Sequence, residues 1–136
     1  MSEKEKELQK LIVEYQLLQA ALEETEKKEK EILQGKAEIE LACETISQIS
    51  GLEEEREILI PLGAGNYVSG YLKQVNSVFV NIGAGVVVEK DVEKVEKILE
   101  ERKKNLEEAL KKLEKEKTKI TEKLEEIARK IEQERV

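Results

Sequence analysis

Residues 58–65 read Ile58-Leu59-Ile60-Pro61-Leu62-Gly63-Ala64-Gly65, and residues 80–90 read Val80-Asn81-Ile82-Gly83-Ala84-Gly85-Val86-Val87-Val88-Glu89-Lys90. In each, a Gly-Ala-Gly turn divides short runs rich in β-branched residues. From Glu57 onward the apolar period is two, the spacing of a strand with one face in a core. Ile58, Ile60 and Leu62 form one alternating set, and Val68, Gly70 and Leu72 a second. Val78, Val80 and Ile82 form a third, and Val86 and Val88 a fourth. Glycine turns between such runs predict two β-hairpins. Pro61 has no N–H to give to a ladder, so it belongs at an edge or where that N–H would face away.

On both sides of the hairpins the period changes to seven. With Leu11 at d, the same register yields Leu18, Thr25, Ile32, Ile39 and Ile46, with Leu8, Tyr15, Leu22, Glu29, Lys36 and Cys43 at a. The C-terminal stretch repeats the design with Val92, Leu99, Leu106, Leu113, Ile120 and Ile127. Its companion row is Glu96, Lys103, Leu110, Lys117, Leu124 and Ile131. In both stretches one row is clean and the other is broken by charge. Gly35 falls in the first interruption and lowers helix stability by about 1 kcal/mol relative to alanine. Ser50-Gly51 is a credible stop for the first helix, and Asp91 an N-cap or first-turn residue for the second.

Each helix then reaches roughly 65–70 Å at 1.5 Å per residue. A lone helix would expose its stripe, so an antiparallel intrachain coiled coil is expected. It places Leu8 near Ile131, Tyr15 near Leu124 and Leu18 near Ile120, with both chain ends at one tip. The expected fold is α+β, dominated by a long antiparallel two-helix coiled coil with two central β-hairpins. The expected division is residues 1–51 (first helix), 52–90 (hairpins, the oligomerisation module) and 91–136 (second helix). Four short strands are marginal alone, and their edges invite pairing with another chain. Oligomerisation through the strands follows as an expectation, by closure into an intersubunit β-barrel that removes the edges. Ile12, Val13 and Leu17 lie beyond the a and d rows; they either widen the seam or form a sticky patch near the tip, and a patch of that kind marks binding.

Composition narrows the function. Of the 136 residues, 40% are charged and four are aromatic, a pattern of coiled coil rather than globule. The net charge is −7 with both signs interspersed, so nucleic acid is not the expected partner. No apolar run approaches the roughly 20 residues that span a bilayer, and the N-terminus lacks a signal-like segment. With a single cysteine, Cys43, these features point to the cytoplasm without membrane association. High charge with one proline also fits a thermophile. There is no histidine, and Cys43 has no base beside it, so an enzyme is not expected. No cluster has zinc-ligand spacing. A phosphate-binding turn needs Gly-x-Gly-x-x-Gly between strand and helix, whereas Gly63, Gly65 and Gly70 are spaced otherwise and lead into strands. No metal or cofactor is expected.

The two glycine-turn segments quoted above, together with Tyr15-Gln16-Leu17-Leu18-Gln19, closely resemble the alpha class of the prefoldin family. The architecture resembles it over nearly the whole chain, the specific motifs over the central third. Two hairpins are an alpha-class trait, since beta-class subunits carry one. The resemblance implies a hexamer of two alpha and four beta subunits, with strands in central barrels and coiled coils projecting from them. It implies an ATP-independent holdase that captures unfolded polypeptides at apolar coil tips and delivers them to a group II chaperonin. Carried onto this chain, capture falls to Leu8, Leu11, Ile12, Tyr15, Leu18, Leu124, Ile127 and Ile131. Assembly falls to Ile58, Ile60, Leu62, Val68, Leu72, Val78, Val80, Ile82, Val86 and Val88. Charged tip residues such as Glu3, Lys4, Glu132 and Arg135 would meet the chaperonin. Filament-forming relatives make a self-assembling structural protein the alternative, since strand edges can also pair in an open series.

Overall fold

A computed structural model describes residues 2–135. Helix α1 spans Glu3–Ser50 and helix α2 spans Val92–Arg135. Between them run β1 (Arg56–Gly63), β2 (Asn66–Leu72), β3 (Ser77–Gly83) and β4 (Val86–Asp91). The α1 terminus is capped as its Ser-x-x-Glu spacing requires: the Glu5 N–H donates to Ser2 Oγ at 3.1 Å. The helix stops at Ser50, with Gly51 in a turn. Asp91 immediately precedes α2, and its carboxylate meets Lys94 at 4.0 Å.

The chain forms two compact units, Met1–Lys36 with Asn105–Val136, and Ala37–Lys104. In the first, both helices are antiparallel partners. Leu11, Leu124 and Ile127 are buried in the seam. Thr25 is buried as well, and its hydroxyl donates to the Ala21 carbonyl at 2.9 Å. Among the described residues no buried side-chain polar atom lacks a partner.

Four charged seam positions, Glu29, Lys36, Lys103 and Lys117, are paired across the helices. Lys117 meets Glu29 at 3.4 Å and Lys36 meets Glu107 at 3.5 Å. In the second unit Lys103 meets Glu40 at 3.5 Å. Lys36 with Glu107 and Lys103 with Glu40 give one alignment of the helices, and Lys117 with Glu29 one displaced from it by three residues, so the cross-helix pairs narrow a register that an apolar stripe repeating every seven residues leaves open.

The second unit holds the hairpins. β1 pairs antiparallel with β2, and β3 with β4, as two separate two-stranded sheets. Both Gly-Ala-Gly turns have positive φ at all three residues, and the alanines at 64 and 84 each stand at φ 52°. Two consecutive positive φ values at the turn centre give the type I′ geometry that matches strand twist. Both ladders shift register just before the turn, between Pro61 and Gly63 and between Asn81 and Gly83. Leu62 and Ile82 therefore stand in bulges without a directly opposed partner. The expectation that they continue the alternating sets is corrected here, because a bulge breaks the period of two.

Ile46, Val80, Val95 and Leu99 form the core of this unit, with Val95 only 2% exposed. Ile39, Ala42, Cys43, Val78 and Val92 pack against it. Cys43 is thus a partly buried seam filler. Val78 and Val80, expected as assembly residues, pack in this core against residues of both helices. The Arg102 guanidinium reinforces the seat by donating to the Asn81 carbonyl at 3.0 Å.

Candidate functional site

Apart from Leu33 and Leu41 of α1, the large apolar side chains that remain in water fall into two sets. The first lies on α1, where Ile12, Val13 and Leu17 are exposed, Leu17 by 67%. Val13, Leu17 and the exposed Ala20 follow at helical i, i+4, i+7 spacing, so they share one outer face. A shallow groove lined by Lys6, Gln9, Lys10 and Val13 adjoins them. Among the described residues, no large exposed apolar side chain lies on α2.

The residues assigned to capture divide accordingly. Ile12 is exposed; Leu8, Tyr15, Leu18 and Ile131 are half-buried; Leu11, Leu124 and Ile127 are buried. The last three hold the helices together and are not accessible in this structure, because a two-stranded seam covers its own a and d rows. Val13 and Leu17, which the heptad reading set beside the seam, form the open surface. A local signal marks them: between Leu11 and Leu22, Glu14 is the only charged residue in a chain that is 40% charged. That stretch carries more apolar surface than one seam can cover.

The second set lies on the hairpins. Ile58, Ile60, Leu62, Val68, Ile82 and Val86 are exposed as expected of strands without a partner. Leu72 and Val88 are half-buried. Leu59, Tyr67, Tyr71, Phe79 and Val87 are also exposed, and the alternation had not singled them out. They occupy the opposite faces: Leu59 opposes Ser69, Pro61 opposes Tyr67, and Asn81 opposes Val87. The first hairpin is therefore apolar on both faces.

Among the described residues no group of His, Cys, Asp and Glu side chains could hold a metal ion. No helix is long and apolar enough to cross a membrane among those residues.

An antiparallel helix pair carrying two β-hairpins between its helices is the architecture in which these surfaces lie. The prefoldin subunit family model matches residues 18–135, and the chain belongs to the prefoldin family, a family of non-enzymatic chaperones. It is 36% identical over 95 residues to prefoldin subunit alpha of Pyrococcus horikoshii, covering 69% of this chain and 64% of that one. To prefoldin subunit alpha of Thermococcus onnurineus it is 33% identical over 94 residues, covering 68% and 64%. The match thus spans 64% of the length of these relatives. A filamentous PFD from Methanocaldococcus jannaschii, solved by cryo-electron microscopy, superposes with a TM-score of 0.73 at 20% identity, covering 84% of this chain and 94% of that one. That likeness concerns the fold.

Proposed function

We propose that this chain is the alpha-class subunit of an ATP-independent cytoplasmic holdase, binding unfolded polypeptides on the outer face of α1 and delivering them to a group II chaperonin. One observation carries the reading: Ile12, Val13 and Leu17 are exposed together on a stretch of α1, residues 11–22, in which Glu14 is the only charged residue. Extended apolar segments of a non-native chain gain by covering such a face, at roughly 25 cal/mol per Å² of apolar area removed from water. Folded proteins expose few such segments, so the selectivity for unfolded chains follows from the same surface.

The hairpins support assembly. Both sheets have two strands and open edges, and open edges pair with other chains. The reading takes the partners to be a second alpha subunit and four beta subunits. The test is aggregation of a chemically denatured model enzyme, followed by light scattering without nucleotide. The assembled protein suppresses scattering. Ile12→Ser, Val13→Ser and Leu17→Ser combined reduce suppression at least severalfold while the assembly keeps its mass. Undiminished suppression by that variant would remove the assignment.

A further inference from the structure

The outer face of α1 has a charged end. At about 100° of turn per residue, Lys6, Lys10, Leu17, Ala20 and Glu24 all fall within about 60° of Val13 around the helix. All six side chains are exposed, so from the start of α1 the row reads Lys, Lys, Val, Leu, Ala, Glu. Lys6, Gln9, Lys10 and Val13 line one shallow groove. The aliphatic stems of the two lysines therefore extend the apolar surface, and their ammonium groups stand at its end. Among the described residues no ion pair engages either lysine. Glu7 and Glu14 flank the row on one side, Gln9 and Gln16 on the other, and Glu3 stands beyond Lys6. The spacing matches an extended chain. Lys6 to Lys10 and Val13 to Leu17 are each about 6 Å along the helix, and Lys10 to Val13 about 4.5 Å. Alternate residues of an extended polypeptide are about 6.6 Å apart. One face of such a segment, lying along the row, sets two side chains over the lysines and the next two over Val13 and Leu17.

We propose that this face prefers non-native segments in which two apolar residues, spaced i and i+2, continue on the same side of the extended chain into two carboxylates. The apolar pair covers Val13 and Leu17 while the carboxylates meet Lys6 and Lys10. The inference rests on the capture reading above and names the class of segment that surface takes. Glu24 repels a carboxylate at the opposite end of the row, so the preference is one-sided. The glutamates around the lysines leave no strong positive field over this end of α1, so the selection is made at contact rather than by steering from a distance. Exposed ion pairs are individually weak, and two of them together change affinity about fivefold at low salt.

The experiment places a photo-crosslinking benzoylphenylalanine at position 20, which leaves the rest of the row intact, and assembles the chain with a prefoldin beta subunit. Three unstructured peptides share the core Val-Ser-Leu and differ in the preceding residues: Asp-Ser-Asp, Ser-Ser-Ser or Lys-Ser-Lys. Adduct yield against peptide concentration reports binding at α1 alone. The aspartate peptide is expected to reach half-yield at about one fifth the concentration of the serine peptide, with the lysine peptide weaker than both. The differences shrink in 1 M salt, where the screening length is about 3 Å. Lys6→Glu with Lys10→Glu reverses the order, and circular dichroism checks that the helix content is kept. Equal yields from the three peptides, or an order that survives the double variant, overturn the preference and leave capture on α1 standing. No adduct with any peptide overturns the capture reading as well.

Discussion

Reversing one seam charge, Lys36→Glu, tests whether the ion pairs hold the helices in register. In the native chain the Lys36 Nζ stands 3.5 Å from Glu107 Oε1, with the two side chains 29% and 43% exposed. A pair so placed is partly screened by water and contributes about 0.5 kcal/mol, within the ~0.2–1 kcal/mol measured for such pairs. Replacing it by two facing carboxylates removes that contribution and adds repulsion of similar size, so the single variant loses about 1 kcal/mol. Glu107→Lys loses a similar amount by opposing two ammonium groups. The double swap, Lys36→Glu with Glu107→Lys, restores the attraction and returns to within about 0.5 kcal/mol of the native chain. The coupling across the cycle is then about 2 kcal/mol. Urea unfolding followed by far-ultraviolet circular dichroism measures it. The screening length falls from about 10 Å at 0.1 M salt to about 3 Å at 1 M, so the coupling shrinks at high salt. Additive losses in the double variant, or a coupling insensitive to salt, would refute the register argument.

Three other outcomes are expected. Val80→Ala removes two buried methyl groups from the seat of the second hairpin and costs about 2 kcal/mol, at ~0.8 kcal/mol per carbon plus a cavity contribution. The same change at its exposed twin, Val68→Ala, costs well under about 1 kcal/mol in dilute chain, as chemical denaturation will show. Ala64→Asn and Ala84→Asn each raise stability by about 1 kcal/mol, read as a higher melting temperature. The reason is that alanine at φ 52° is strained, whereas Asn-Gly is the preferred centre of a type I′ turn. Leu11→Ala costs about 2–3 kcal/mol of coil stability, while Leu17→Ser changes it by less than about 0.5 kcal/mol, separating seam from binding face in one thermal series.

Much of this architecture is legible from spacing alone. The heptads of Leu11 to Ile46 and Val92 to Ile127 announce the helix pair, and the twin Gly-Ala-Gly turns announce the hairpins. Periodicity gives out where two answers share one period. A repeat of seven fits more than one register, and the cross-helix pairs of Glu29, Lys36 and Lys103 narrow the choice. Seen along one helix those charges look like interruptions; seen across the pair they are complements. A period of two says which residues share a face but not which face is covered. In the first hairpin Ile58 and Ile60 compete with Leu59, Tyr67 and Tyr71, and both faces are apolar. Nor does alternation distinguish an intrachain seat from an assembly surface, so Val78 and Val80 read like Ile58 and Ile60 although their surroundings differ. Leu11, Leu124 and Ile127 are buried for a related reason: a and d positions are the easiest to name, and they are the ones the partner helix covers.

The most direct measurement is photo-crosslinking from α1 to an unfolded chain. With benzoylphenylalanine at position 13 or 17, the assembled protein is expected to label a denatured client strongly and its native form hardly at all. The same probe at Lys123, exposed on α2, is expected to label neither. Equal labelling from positions 17 and 123, or suppression of aggregation with no label from 13 or 17, would contradict the claim that the outer face of α1 holds the client.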